Sequence, residues 1–231
     1  MTLLALDTST EACSAALLCD DGELFSEFDI TPRRHTSELP KMLDAVLQKA
    51  KLKRSQITHC AFANGPGAFT GIRIGAATAQ GIAMGLNVPL LSISTLAALA
   101  QEASSRYDIN NVLVALDARM GEVYTALYVV DENSKLVRLQ HQEQLLKLQS
   151  SKMAEGVNCG VGHGWSAAIE SEVNWGQSES MLLYPNLLPS AAAVARLAQE
   201  EIFRGHKSAA ENISINYLRN QVAKKAAPKR L

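Results

Sequence analysis

The segment Asn64-Gly-Pro-Gly-Ala-Phe-Thr-Gly-Ile-Arg-Ile-Gly75 carries the residue types that bind phosphate. It follows an apolar run of strand length, Ile57 to Ala63, and opens a small-residue helix that continues to about Leu86. A strand, a glycine turn and a helix start can aim backbone N–H groups at an anion, or let two backbones approach closely. The turn is therefore either a phosphate cradle or a packing joint, and the residues alone leave both open. Neither common nucleotide fingerprint fits, because no Lys follows the last glycine and the glycine spacing is not that of a dinucleotide-binding turn.

Metal and nucleophile chemistry are poorly supplied. The histidines His35, His59, His141, His163 and His206 are scattered, with no pair at ligand spacing along a helix or strand. A divalent metal needs several fixed O, N or S ligands, so no metal site is expected. Ser9, Ser14 and Cys13 have no neighbouring base and orienting acid. Cys13, Cys19, Cys60 and Cys159 lie far apart without a Cys-x-x-Cys, and three of them fall in apolar strand-like runs, the pattern of buried structural thiols.

The bulk properties narrow the classes further. The chain has 231 residues, 47% of them hydrophobic and 19% charged, an ordinary soluble composition of one large or two small domains. A net charge of −1 argues against a generally basic nucleic-acid binder. No charged segment followed by an apolar one opens the chain, and no apolar run has membrane-spanning length. The expected location is cytoplasmic, with no membrane partner.

Leu3 to Leu6 and Ala12 to Cys19 are predicted strands, and the turn Asp20-Asp21-Gly22 leads to a third over Leu24 to Ile30. A helix follows, with Leu39, Met42, Leu43, Val46, Leu47 and Ala50 at helical spacing, Ser37 as N-cap and Pro40 in its first turn. Val88 to Ile93 is another buried strand and Thr95 to Ser104 a helix. Leu113 to Asp117, a turn at Arg119-Met120-Gly121 and Glu122 to Tyr128 then repeat strand, turn and strand. At an offset of 110, Leu3, Ala5, Leu6, Asp7, Ala16 and Leu17 match Leu113, Ala115, Leu116, Asp117, Ala126 and Leu127, six identities in fifteen columns. An internal duplication explains this echo and the length. The chain divides into residues 1–106, residues 107–221 and a basic tail, 222–231. In the second part Lys135 to Leu139 completes the meander, Gln142 to Leu148 is expected as a short helix, Asn158 to Gly164 is glycine-rich, and Ala191 to Phe203 is a helix.

The helix Gly71 to Leu86 is apolar around most of its circumference. Ile72, Gly75, Ala76, Ala79, Ala83 and Leu86 lie on one side, and Ile74, Ala77, Thr78, Gly81, Ile82 and Gly85 on another. Such a helix must be covered on both sides. Either it is an internal core helix, or the small-residue face of Ala76, Ala79 and Ala83 admits another chain.

Two meander halves, the Asp7-Thr8-Ser9-Thr10 hairpin and the glycine turn resemble the duplicated α/β architecture of actin, sugar kinases and the Hsp70 ATPase, two β-meander plus helix halves. More specifically, Leu6-Asp7-Thr8-Ser9, Gly65 to Gly75 and Ile215-Asn216-Tyr217-Leu218-Arg219 resemble the TsaB (YeaZ) family. That family contains non-catalytic paralogues of the tRNA threonylcarbamoyl-transfer subunit TsaD and is grouped with M22 peptidase homologues. TsaD-type paralogues hold a metal with a His-x-x-x-His pair just after the strand matching Val88 to Ile93; here Ser92 to Ala100 has no His, Asp, Glu or Cys.

The resemblance implies a scaffold subunit of the machinery that makes threonylcarbamoyladenosine in tRNA. It would bind TsaD, help recruit TsaE, pair with itself when alone, and meet tRNA only through the complex. The implied interface is on the first two helices, with Leu39, Met42, Leu43, Ile72, Ala76, Ala79, Gln80 and Ala83. In the actin-like fold a phosphate hairpin comes from each half. Asp7, Thr8 and Ser9 are a vestige of the first, whereas Asp117-Ala118-Arg119-Met120 lacks the small donors of the second. No cofactor is expected, and Asp7 is a structural acceptor. Gly160-Val-Gly162-His-Gly164 could mimic an adenosine-binding turn, but its glycines suit close packing equally. The rival readings are an M22-type metallopeptidase and an actin-like-fold phosphotransferase.

Overall fold

The all-apolar run at the amino terminus becomes the centre of a sheet because both of its faces are covered. The computed structural model describes residues 1–150, 157–175, 181–206 and 209–219. Strand β1 (Leu3–Asp7) pairs antiparallel with β2 (Ala12–Leu18), and β2 with β3 (Leu24–Ile30). Helix α1 (His35–Ala50) then carries the chain back, so that β4 (His59–Ala63) lies parallel to β1. Helix α2 (Phe69–Leu86) does the same for β5 (Leu90–Ile93), which is parallel to β4. The order is β3-β2-β1-β4-β5.

Helix α3 (Thr95–Tyr107) leads to a second sheet of β6 (Asn111–Arg119), β7 (Glu122–Val130), β8 (Val137–Leu139), β9 (Gln144–Lys147), β10 (Cys159–Val161) and β11 (Leu182–Tyr184). Its order, β11-β10-β6-β7-β8, mirrors the first, with a meander on one side of the central strand and two parallel strands on the other. Helix α4 (Gly164–Glu170) precedes β11, and α5 (Ala191–Phe203) follows it. This repeated topology is the duplicated actin-like α/β fold.

Side-chain alternation along the central strands feeds two different cores. Leu3, Ala5, Ala16 and Leu18 join a large cluster with Leu96, Leu99 and Ala103 of α3, Val194 and Ala198 of α5, and Val112, Val114 and Leu116 of β6. That cluster is common to both sheets, and Ala191 N donates to Ser14 Oγ of β2 at 2.9 Å. Leu4, Leu6, Cys13 and Leu17 point the other way, onto α1 and α2. The outer face of the second sheet is covered by Trp165, Trp175, Leu148, Val157 and Met181. Trp165 and Trp175 meet edge to face with ring centroids 4.7 Å apart.

Two sequence expectations are corrected. Gln142 to Leu148 is not a helix: Gln144 to Lys147 form β9, followed by a single 3-10 turn at Leu148–Ser150. Strand β7 is nine residues long, and β8 covers only Tyr128 to Val130, so its open start at Glu122 to Thr125 recruits β9. Helix α1 begins at His35 and not after Ser37. His35 is buried and its Nε2–H reaches Thr10 O (2.9 Å) and Ala12 O (3.1 Å), which pins the first turn to the β1–β2 hairpin. Ser37 Oγ instead donates to Arg34 O at 2.9 Å. The basic tail, with Lys224, Lys225, Lys229 and Arg230, lies outside the described residues.

No helix among the described residues is long and apolar enough to cross a membrane. Because Trp165 fills the second sheet's outer core at 1% exposure, we expect Trp165→Ala to cost about 3 to 5 kcal/mol of stability. Denaturant melts followed by far-UV circular dichroism check this value.

Candidate functional site

The tip of the β1–β2 hairpin and the glycine turn before α2 meet directly. Thr8 Oγ1 donates to Gly71 O at 2.8 Å, and Ser9 O accepts from Ala68 N at 2.7 Å. A Cβ on Gly67 would lie 2.3 Å from Ser9 O, one on Gly71 2.0 Å from Thr8 O, and one on Gly75 2.7 Å from Thr8 Oγ1. No real side chain tolerates such distances. Glycine at these three positions lets the α2 backbone lie against the hairpin, and the turn is a packing joint. The hairpin tip and the helix start are in direct contact, with no gap between them at Thr8 and Ser9.

Asp7, Thr8 and Ser9 are accordingly buried, Asp7 at 2% exposure. Asp7 Oδ1 accepts from Ser9 N at 2.7 Å, while Asp7 Oδ2 and Ser9 Oγ have no hydrogen-bond partner among the described residues. Burial pushes the Asp7 carboxyl above its ordinary value, against the smaller opposing effects of Ser9 and His35. The thiols of Cys13, Cys60 and Cys159 are pushed up to about 11, 12 and 11 by burial, which leaves them protonated and inert near neutral pH.

The second hairpin differs. Asp117 Oδ1 accepts from Arg119 N at 2.7 Å, Oδ2 pairs with the Arg119 guanidinium at 3.0 Å, and Met120 is 78% exposed. Asp117 N donates to His163 Nδ1 at 2.9 Å, so the ring is neutral with its proton on Nε2. Burial holds the His163 pKa below the usual histidine range, although Glu11 and Asp117 pull it up. Gly162 and Gly164 press on Ala115 of β6, where added Cβ atoms would come within 2.5 and 2.7 Å of its backbone. The second glycine turn is therefore also a packing joint.

The motif Ile215–Arg219 belongs to an extended strap that runs from the first half to the second. Gln80 Nε2 donates to Ala210 O (2.9 Å), Asn64 Nδ2 to Ser214 O (3.2 Å), and Asn216 N to Asn64 O (2.9 Å). Arg219 closes the second hairpin, donating to Ala118 O at 3.0 Å and Arg119 O at 3.3 Å and pairing with Glu122. Glu143 is the hub of this strap. It accepts from Tyr128 OH (2.7 Å), Asn216 Nδ2 (2.5 Å) and Ser94 Oγ, the N-cap of α3. Beside that carboxylate the buried Tyr128 hydroxyl titrates well above its ordinary value, chiefly through burial. Sequence reasoning missed Glu143 because it fell inside the expected helix.

The expected interface residues divide unevenly. Leu39, Leu43, Ala76, Ala79 and Ala83 are buried in the core shared with β1, β2 and β4, and Ile72 is buried at the glycine turn beside Gly65, so the face named from the sequence is the inner one. Met42 and Gln80 are half-buried, and Gln80 is engaged by the strap. The outward face of α2 carries Phe69, Arg73, Ala77, Gly81, Met84 and Gly85. A Cβ at Gly81 or Gly85 would meet no atom within 4 Å. The signal was present: Gly71, Gly75, Ala79 and Ala83 are four residues apart along α2, so a joint at the glycines turns the two alanines inward. Among the described residues no three His, Cys, Asp or Glu side chains gather as a metal would require.

The chain has known relatives. A family model described as TsaD, tRNA N6-adenosine threonylcarbamoyltransferase, matches residues 29–226. The tRNA threonylcarbamoyladenosine biosynthesis protein TsaB of Escherichia coli K12 is 37% identical over 234 residues, covering 99% of each chain. TsaB of Haemophilus influenzae is 38% identical over 239 residues, covering 100% of this chain and 98% of the relative. The solved structure of YeaZ from Pseudomonas aeruginosa superposes with a TM-score of 0.86 at 37% identity, covering 94% of this chain and 99% of that one.

Gly71→Ala places a methyl group on the Thr8 carbonyl, and we expect a loss of about 3 kcal/mol, read by chemical denaturation. Asp7 supplies a pH test. Its folded pKa is raised, so wild-type stability falls as pH climbs above the unfolded value of 3.8 through the folded one. Asp7→Asn removes that dependence. Its stability relative to wild type should rise between pH 4 and pH 7; a difference that stays flat or falls contradicts the buried, raised carboxyl.

Proposed function

From the premise that this chain belongs to the TsaB (YeaZ) family of tRNA threonylcarbamoyladenosine biosynthesis proteins, we propose that it is the pathway's non-catalytic scaffold. It binds a TsaD-type transferase in the cytoplasm, holds it in an active arrangement and helps recruit TsaE. It meets tRNA only through that complex, and pairs with itself through the same surface when TsaD is absent. The observation that carries this reading is the outward face of α2, where Ala77, Gly81, Met84 and Gly85 form an exposed, uncharged and closely approachable stripe. A helix apolar on its outer face gains by being covered, and small residues let a second helix come near.

The chemistry of the two hairpins supports a structural role. Ser9 is fully buried, and the hairpin that would clasp phosphate is occupied by α2. The other hairpin offers Ala118, Arg119 and Met120 and is closed by Arg219. Neither supplies the small hydroxyl donors of a phosphotransferase. A peptidase is equally unsupported, since Ser9 has no base within hydrogen-bond reach and the buried thiols are protonated.

The two faces of α2 predict opposite outcomes for the same substitution. Ala77→Arg, on the outer face, should leave the melting temperature near that of the parent and abolish the complex with TsaD, seen by light scattering of the mixture. Ala79→Arg, on the inner face, should lose about 3 kcal/mol or more of folding stability because a long charged chain cannot enter that core. If Ala77→Arg binds TsaD as tightly as the parent, α2 is not the docking surface.

A further inference from the structure

Helix α2 carries one charged residue in eighteen, Arg73. Its side chain is exposed and yet held in place. The guanidinium carbon lies 3.6 Å from the centroid of the Phe69 ring and 5.9 Å from that of Tyr217, and Nε donates to Tyr217 OH at 3.0 Å. The two rings, 6.1 Å apart, remain 52% and 43% exposed. Stacking uses the guanidinium face and the hydrogen bond uses its Nε edge, so the two terminal nitrogens are left for another acceptor. Seven other arginines, at positions 34, 54, 106, 119, 138, 204 and 219, pair with carboxylates. No carboxylate among the described residues pairs with Arg73.

A guanidinium fixed by stacking presents a fork that matches a planar two-oxygen acceptor, with little conformational entropy left to lose. Exposed Tyr, Phe and Arg beside a small-residue stripe is the composition of an interface anchor. The surroundings favour a carboxylate over a nucleic-acid phosphate. Ala77, Gly81 and Met84 next to Arg73 are uncharged, and the whole chain has a net charge of −1, so no basic field gathers a polyanion here. A second copy, when it pairs here, offers Arg73 no partner on α2. Helix α2 has no Asp or Glu. The carboxylates of the neighbouring helix α1, Glu38 and Asp44, already pair with Lys41 and Arg54, so a second copy packed through these helices brings Arg73 no free acceptor.

Resting on the reading of α2 as the docking helix, we propose that Arg73, clamped by Phe69 and Tyr217, is the receptor for an aspartate or glutamate side chain of a different protein chain. That single ion pair sets the preference for the foreign partner over self-association. Tyr217 comes from the strap, so the carboxyl-terminal segment positions the receptor.

The test titrates the full chain into TsaD of the same organism and measures self-association by sedimentation equilibrium, with melting temperatures as a folding control. Arg73→Ala should weaken TsaD binding roughly thirtyfold or more, because the partner's carboxylate is left buried and unpaired. Arg73→Lys, which keeps the charge and loses the fork, should be weakened about tenfold, and Tyr217→Phe a few-fold. Self-association should be unchanged or stronger in all three. Should Arg73→Ala destabilise the fold, Arg73→Lys and Tyr217→Phe carry the comparison. Parent-like TsaD binding by Arg73→Ala, with Ala77→Arg still disruptive, overturns the receptor and leaves the docking helix intact. Parent-like binding by both variants overturns the helix as well. Equal weakening of self-association overturns the preference for a foreign chain, and loss of tRNA binding at unchanged TsaD affinity identifies the acceptor as a phosphate and sinks the proposal.

Discussion

The close approach of α2 to the β1–β2 hairpin governs most of what this molecule can do. Gly67 in the turn and Gly71 and Gly75 in one row of the helix bring this backbone to within contact of Thr8 and Ser9, where any Cβ would collide with a carbonyl or a hydroxyl oxygen. Once that joint forms, the rotation of α2 about its axis is settled. Ala79 and Ala83 face inward onto the core, and Ala77, Gly81 and Gly85 face solvent. The same contact removes the hairpin from solvent and leaves Asp7 in surroundings that favour its neutral form. Burial of the hairpin and the choice of the outward side of α2 are two consequences of one packing constraint.

A second constraint binds the halves together. Helices α3 and α5 lie between the sheets in one continuous apolar cluster, and α5, late in the sequence, lies against β1 and β2. Polar links reinforce this arrangement where the core ends. Ser190 Oγ donates to Glu102 Oε2 at 2.5 Å, joining the start of α5 to α3, and Glu102 also pairs with Arg106. Glu143 joins the α3 cap, β7 and the strap.

The strap gives the two surface features a common origin. It brings Tyr217 against Arg73 on the first half and Arg219 against the second hairpin. Arg219 satisfies the carbonyls of Ala118 and Arg119 at the tight turn. Both hairpins are thus engaged in internal contacts, Thr8 with Gly71 and the Ala118–Arg119 carbonyls with Arg219.

Much of the fold was legible because it depends on local pattern. The meander of Leu3 to Ile30, the echo at Leu113 to Tyr128, and the helix Ala191 to Phe203 follow from apolar periodicity and turn residues. The glycine segment was recognised as either a cradle or a joint. Sequence could not choose, because the choice depends on Thr8 and Ser9, about sixty residues away. Tertiary structure also decided the fate of Gln142 to Leu148, where an open stretch of β7 offered hydrogen bonds that outweighed helical propensity. It decided the start of α1 through His35, and it decided which of two equally apolar sides of α2 faces out. Composition and periodicity determined that this chain is a duplicated α/β body with a two-sided apolar helix. Which side is surface is a matter of long-range contact, and a one-dimensional pattern holds no term for the backbone lying opposite each glycine.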